Sequence, residues 1–355
     1  MERELQIGIV GAGTIGRVLA LFLTSKGYNV ELTAKDDNEL VIDNRIDVEI
    51  CGEFGERSVL VPYVTNNKFS TKKDIIFVMV KSFKVTSALK QVLKYLSPNG
   101  IIVGIQNVLN LEEFFDVIPT NRFVSWVADW SAFRYVDRRL VIVNKSGDNH
   151  IGVLNPEAKV FLPIVQNLLN SICETHIEED MLDFILSKFV LTSLTSCLGA
   201  LTGHNLGHIL KEKQGKRLYL NLVKEQLVVF ESMLNHPVSP YYDMLDYYKF
   251  TEDGISGAIY RSNMFRRLIN QNHNTVSSVL RNLEYNKPSE LDCLMKKVVA
   301  IANSKGISVP YCTQLSIILD EIARYERSIV MDNLYDERLI CAEKFMTKNN
   351  RRKKK

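Results

Sequence analysis

The chain has 355 residues, 46% of them hydrophobic and 24% charged, with a formal net charge of +3. That length and apolar content support two buried cores and exclude a disordered or fibrous protein. Much of the positive charge sits in the tail Lys348-Asn349-Asn350-Arg351-Arg352-Lys353-Lys354-Lys355; the body without it is net acidic and the tail lacks interleaved aromatics, so nucleic-acid binding is not expected.

Ile7, Ile9 and Val10 read as a buried strand, Gly11, Gly13 and Gly16 give the spacing G-x-G-x-x-G, and Ile15, Val18, Leu19 and Phe22 recur at helical intervals. Strand, tight turn and helix in that order build a dinucleotide site. The first glycine makes the turn, the second admits a pyrophosphate to the backbone, and the third lets the helix lie against the strand with its positive N-terminus toward the phosphates. Gly11-Ala12-Gly13-Thr14-Ile15-Gly16 are the expected cofactor-binding residues. Residues 27–35 follow as a turn and an alternating strand, as a βαβ unit requires. NAD-specific sites place an acid at the tip of this strand, whereas here the tip is Ala34 followed by Lys35. A cation there suits a 2′-phosphate, so NADP(H) is the expected cofactor, with Asp36 and Asp37 keeping NAD open if the strand runs longer.

Val48-Glu49-Ile50 and Val59-Leu60-Val61 alternate as strands around a turn from Gly52 to Gly55. Residues 74–81 read as a fully buried parallel strand ending in Lys81. Ligands of open α/β sheets sit beyond the carboxyl ends of the strands, so Lys81 and Thr86 are expected to face the cofactor, with Lys84 as competitor. Residues 100–105 repeat the pattern and end in Gln106-Asn107, whose short amides can cap a helix or hold a ligand. Residues 123–127 and 140–143 read as further strands, Pro156 introduces a helix, and the sheet is expected to be complete there.

From about residue 179 helical patterns dominate, over 181–201, 217–233, 253–269, 289–305 and 313–331. The expected division is a dinucleotide-binding domain over 1–178, a helical substrate domain over 179–335, and an extension with the basic tail over 336–355. His204 and His208 have the spacing of a helical metal pair, but Gly203, Asn205 and Gly207 disfavour a helix and no acid adjoins them, so no metal is expected. Tyr241, Tyr242, Tyr247, Tyr248 and Phe250 read as a packed connection between helices. The six cysteines are scattered without a C-x-x-C pair, no run approaches eighteen apolar residues, and Met1-Glu2-Arg3-Glu4 does not resemble a signal peptide. A cytoplasmic protein with reduced thiols and no membrane association is expected.

In order and spacing the chain resembles the ketopantoate reductase (2-dehydropantoate 2-reductase) family, over nearly all its length to about residue 325. The resemblance rests on Gly11 to Gly16, on Val80-Lys81 with Thr86, on Gln106-Asn107, on Lys188, and on Gly199-Ala200-Leu201-Thr202-Gly203 with Gly207. Ser277-Ser278-Val279-Leu280, Ser289-Glu290-Leu291-Asp292 and Lys305-Gly306-Ile307 with Pro310 complete it. It implies an α/β fold class: an N-terminal Rossmann-type domain followed by an all-α C-terminal domain like that of 6-phosphogluconate dehydrogenase. It also implies NADPH-dependent reduction of ketopantoate to pantoate, for pantothenate and coenzyme A biosynthesis.

Carried over residue by residue, the resemblance makes Lys188 the general acid that protonates the ketone oxygen. Glu290 would hold the substrate hydroxyl and orient the lysine, Ser278 would contact the substrate carboxylate, and Asn107 and Lys81 would line the nicotinamide. The family usually has asparagines one and two turns after the lysine, where this chain has Thr192 and Ser196, and a glycine where it has Val108. Hydroxyls are shorter than amides and make fewer bonds, so a reductase of another branched 2-oxo acid stays open, as does a non-catalytic NADP(H)-binding sensor. A homodimer also stays open.

Overall fold

The computed structural model describes residues 4–35, 41–105, 109, 111–134, 140–242, 245–273, 276–285 and 287–345. It divides into two units, one formed by residues 1–106 and 110–181, the other by 107–109 and 182–355.

The first unit is organised around β1 (Gln6–Val10), flanked by β2 (Asn29–Ala34) and β5 (Lys73–Val78), both parallel to it. Ile7 and Ile9 enter one hydrophobic core and Val10 a second, so the strand is buried on both faces, as a parallel sheet covered on both sides requires. With β3 (Arg45–Gly52), β4 (Arg57–Thr65), β6 (Leu96–Ile105), β7 (Phe123–Arg134), β8 (Val141–Gly152) and β9 (Thr175–Ile177), the sheet order is β3-β4-β2-β1-β5-β6-β7-β8-β9. The run β4-β2-β1-β5-β6-β7 is parallel and has the doubly wound order of a Rossmann domain, with its switch point between β1 and β5. Its helices are α1 (Thr14–Ser25), α2 (Val85–Val92), α3 (Glu112–Phe115) and α4 (Leu162–Leu169).

Three boundaries differ from the sequence reading. β5 ends at Val78 rather than at Lys81, because β1 stops at Val10 and its last ladder bond is Met79 N–H to the Val10 carbonyl, 2.8 Å. β7 and β8 extend into a long antiparallel pair across a bulge between Ala128 and Trp130. The sheet also gains β9 after α4, and β3, at one end of the strand order, pairs with β8, the strand next to the other end.

The second unit is helical: α5 (Met181–Thr202), α6 (Leu206–Ile209), α7 (Lys213–Leu234), α8 (Tyr247–Thr251), α9 (Gly254–Gln271), α10 (Ser278–Glu284), α11 (Met295–Ser304), α12 (Pro310–Ala323) and α13 (Glu337–Ile340). α5 is its axis, contributing Leu186, Phe189, Val190, Leu194, Cys197, Leu198 and Leu201 to one core. By length and composition α5 would span a membrane, but 72% of its apolar window is buried inside the protein. Of the aromatic cluster, Tyr241, Tyr247 and Phe250 are buried, the last two on α8 rather than in a connection, while Tyr242 is exposed. The chain after α12 returns to this core through Leu334, Leu339 and Ala342.

Candidate active site

In the α/β unit the glycine turn forms where β1 runs out. Gly11 takes φ +109°, a left-handed conformation that favours glycine, and its N–H donates to the Thr33 carbonyl at 2.8 Å. A Cβ there would lie 2.5 Å from the Met79 carbonyl oxygen. Gly13 caps α1 with extended backbone, no side chain occupies the cap, and the first turn carries no acid. Around Gly13 the space is open: a Cβ would meet no atom within 4 Å. The result is a helix N-terminus with unpartnered backbone donors and an empty cradle above it, which fits a dinucleotide pyrophosphate.

Ala12, Thr14 and Ile15 are half-buried around this cradle and Gly16 is buried beneath it. Lys35 is exposed just past the end of β2. Lys81 is exposed past the carboxyl end of β5, beside the switch point. Thr86 is half-buried in the first turn of α2, and its hydroxyl donates to the Glu113 carbonyl at 3.4 Å. Gln106 and Asn107 lie outside the described residues.

The sequence reading passed over Arg17. Its side chain is 1% exposed and its Nε donates to the Ala12 carbonyl at 3.0 Å, tying the glycine turn to the first turn of α1. The available signal was that residues 16–23 of α1 are apolar all round apart from this arginine, so the helix is buried on every side and its charge must be held internally.

In the helical unit the candidate residues gather on and around α5. Lys188, Thr192 and Ser196 succeed one another every four residues and so share a face. Lys188 is only 8% exposed. The helix rotation is fixed elsewhere: Ser187 Oγ donates to the Ser239 carbonyl at 2.8 Å, and buried Ser193 Oγ to Gln226 Oε1 on α7 at 2.9 Å. The Thr192 hydroxyl donates back to the Lys188 carbonyl at 3.2 Å, leaving its lone pairs as acceptors.

Ser277 caps α10, its Oγ accepting from Leu280 N–H at 3.1 Å, and Ser278 is exposed at the first helical position. A Cβ on Gly199 would lie 3.5 Å from Ser277 Oγ, so the start of α10 abuts α5 less than one turn beyond Ser196. Glu290 is half-buried before a short 3-10 turn, Leu291–Cys293, and the backbone of Met295 hydrogen-bonds the Cys197 thiol. That thiol, fully buried, is pushed up to about 12 by burial and is inert. Both segments carrying Ser278 and Glu290 thus converge on the half of α5 that follows Lys188.

The rings of His204 and His208 stack at 4.5 Å. Among the described residues a different trio brings metal-ligating atoms within 4.8 Å: Asp148 on β8, His176 on β9 and Glu174 just before β9. Lys145 Nζ, 3.2 Å from Asp148 Oδ1, already supplies a cation there.

Residues 7–156 match the family model for ketopantoate reductase PanE/ApbA, and residues 180–323 match the model for its C-terminal domain. The 2-dehydropantoate 2-reductase of Aquifex aeolicus is 23% identical over 308 residues, covering 85% of this chain and 92% of the relative. Among solved structures, the 2-dehydropantoate 2-reductase of Geobacter metallireducens superposes with a TM-score of 0.75 at 19% identity, over 89% of this chain and 99% of that one. D-mandelate dehydrogenase, solved in a ternary structure with NADH and anilino(oxo)acetate, superposes with a TM-score of 0.74 at 16% identity, over 90% and 99% of the two chains.

Proposed function

The chain belongs to the ketopantoate reductase family, and we propose that it reduces 2-dehydropantoate to pantoate with NADPH as reductant. The observation that carries this reading is Lys188, a nearly buried ammonium on α5 with Thr192 and Ser196 on the same face of the helix. An ammonium held largely out of water beside two hydroxyls is suited to place its charge and a proton at a substrate oxygen.

The backbone of Gly11 to Gly16 would hold the pyrophosphate, and Lys35 would pair with a 2′-phosphate, which makes the phosphorylated cofactor the proposed one. When bound, the reduced nicotinamide supplies a hydride for the ketone carbon. Lys188 would place its positive charge at the ketone oxygen, stabilising the negative charge that grows there, and then donate a proton from Nζ. Glu290 would accept from the substrate hydroxyl, and Ser278 would donate to the carboxylate from the start of α10. Asn107 and Lys81 would contact the nicotinamide end.

A second reading is favoured by one observation, the hydroxyls of Thr192 and Ser196 where the family usually has asparagines. It makes the substrate another branched 2-oxo acid, and the structural likeness to D-mandelate dehydrogenase is compatible with it. Steady-state reduction of a panel of 2-oxo acids, followed by loss of NADPH absorbance, separates the two. The first reading requires the highest kcat/KM for 2-dehydropantoate; a tenfold or greater preference for another acid selects the second.

A further inference from the structure

The helical unit holds a concavity formed by α7 and α9, whose chemistry is independent of the function proposed above. The groove has a volume of about 500 Å³. Lys216, Arg261, Arg266 and Ser262 line it, over a floor of Phe265 and Ile269, and among the described residues no carboxylate does. Phe265 is buried, Lys216 and Arg261 are half-buried, and Arg266 reaches solvent.

The partners of these cations differ from those of the ion-paired side chains of the protein. Lys73 pairs with Glu31, Lys296 with Asp292 and Asp320, and Arg327 and Arg338 with Glu321 and Asp336. In the groove Arg261 and Lys216 have neutral partners. Arg261 donates to the carbonyls of Phe250, at 3.2 Å, and Glu252. Lys216 Nζ lies 5.9 Å from the centre of the Phe265 ring. Carbonyls and a ring face orient these cations but do not neutralise them, so three like charges face one concavity.

The walls are rigid. A Cβ on Gly215 of α7 would lie 2.2 Å from the Ile209 carbonyl oxygen, and one on Gly207 of α6 would lie 2.7 Å from that of Ile269 on α9. α6 is therefore wedged in backbone contact against both helices, and the cations cannot relax apart by moving the walls.

We propose that this groove binds a small phosphate ester, its phosphoryl oxygens held by Lys216, Arg261 and Arg266 and its apolar portion resting on Phe265 and Ile269. Guanidinium forks match phosphate oxygens in geometry and charge, and Ser262 adds a neutral donor. The volume suits a small ligand, and the apolar floor beside the cations favours an organic ester over the bare ion. Exposed Ile255 and Ile259 on the same helix make an anionic lipid headgroup the competing source of the same chemistry.

The test is calorimetric titration of the full chain with phenyl phosphate and with inorganic phosphate, in wild type, in Lys216→Gln/Arg266→Gln, and in the distant surface control Lys159→Gln. Phenyl phosphate should bind more tightly than inorganic phosphate, weaken at least tenfold in the groove variant, and be unchanged in the control and on addition of NADPH. Binding untouched by the groove variant, or displaced by NADPH, overturns the proposal. So does its absence combined with pelleting on phosphatidylglycerol vesicles that the same variant abolishes. The groove variants decide the matter whether or not the chain reduces any 2-oxo acid.

Discussion

A Cβ on Gly16 would lie 2.0 Å from the carbonyl oxygen of Gly11, so α1 can leave the glycine turn only because residue 16 has no side chain. Gly13, between them, meets nothing within 4 Å and has φ −71°, a conformation open to any residue. One glycine is required by the fold and the other by what enters the cradle.

Gly16→Ala should therefore destabilise the protein without cofactor by about 3 kcal/mol, the scale of forced overpacking, and lower its Tm. Gly13→Ala should leave that Tm nearly unchanged and weaken NADPH binding by about tenfold or more, because its methyl fills the pyrophosphate cradle. Thermal denaturation and fluorescence titration of both variants check this. A Tm loss in Gly13→Ala equal to that in Gly16→Ala would contradict the division of roles.

Lys35 stands exposed just past the end of β2, where the ribose 2′ position is read in folds of this kind. Lys35→Glu should lower the ratio of NADPH to NADH affinity by about tenfold or more, through lost attraction to the 2′-phosphate and new repulsion. An unchanged ratio would mean that the 2′-phosphate is read by other groups.

Glu321 is held below the usual carboxylate range by hydrogen bonds from Arg338 and Arg327. Burial pushes the carboxyl of Asp336 up, but hydrogen bonds from Arg338 and the charges of Arg338 and Arg327 outweigh it and hold the group low as well. Both folded values lie below the unfolded ones, so this stability is present above about pH 4.5 and is lost as pH falls through the lowered values. Arg338→Gln should cost about 2 kcal/mol near neutrality and flatten the fall of Tm between about pH 5 and pH 3. Parallel Tm curves for the two proteins would refute the linkage.

Thr192→Asn/Ser196→Asn installs the side chains usual in the family on the face of α5 that carries Lys188. It should raise kcat/KM for 2-dehydropantoate relative to other 2-oxo acids by about threefold or more, since amides offer longer reach and more bonds. Steady-state kinetics over the same panel measure the shift. A uniform loss over all substrates would place Thr192 in support of the helix, through its bond to the Lys188 carbonyl, and not in contact with substrate.

The glycine turn was legible because its demands are local: a left-handed Gly11, an open Gly13 and a close Gly16 all follow from residues within six positions. The second half of β8 was not. Asn144, Lys145 and Ser146 are exposed and polar, and their pairing with β7 across a bulge leaves no alternation to read. β9 is three residues long, too short for any period. Lys188 carries little signal of its own, because α5 is largely apolar and its polar residues, among them Asp183, Ser187, Thr192, Ser193 and Ser196, fall on more than one face. Its candidacy came from the family resemblance, and its burial is what the structure adds. The cations of the α7–α9 groove were also invisible in sequence, since Lys216 and Arg261 are 45 positions apart and meet only through tertiary packing.

Lys188→Ala removes the proposed proton donor to the ketone oxygen in NADPH-dependent reduction of a 2-oxo acid. With 2-dehydropantoate and NADPH, kcat should fall by about a hundredfold or more while cofactor affinity stays near wild type, as loss of a general acid and its charge requires. Turnover within a few-fold of wild type in Lys188→Ala would contradict the account and move the proton donor elsewhere.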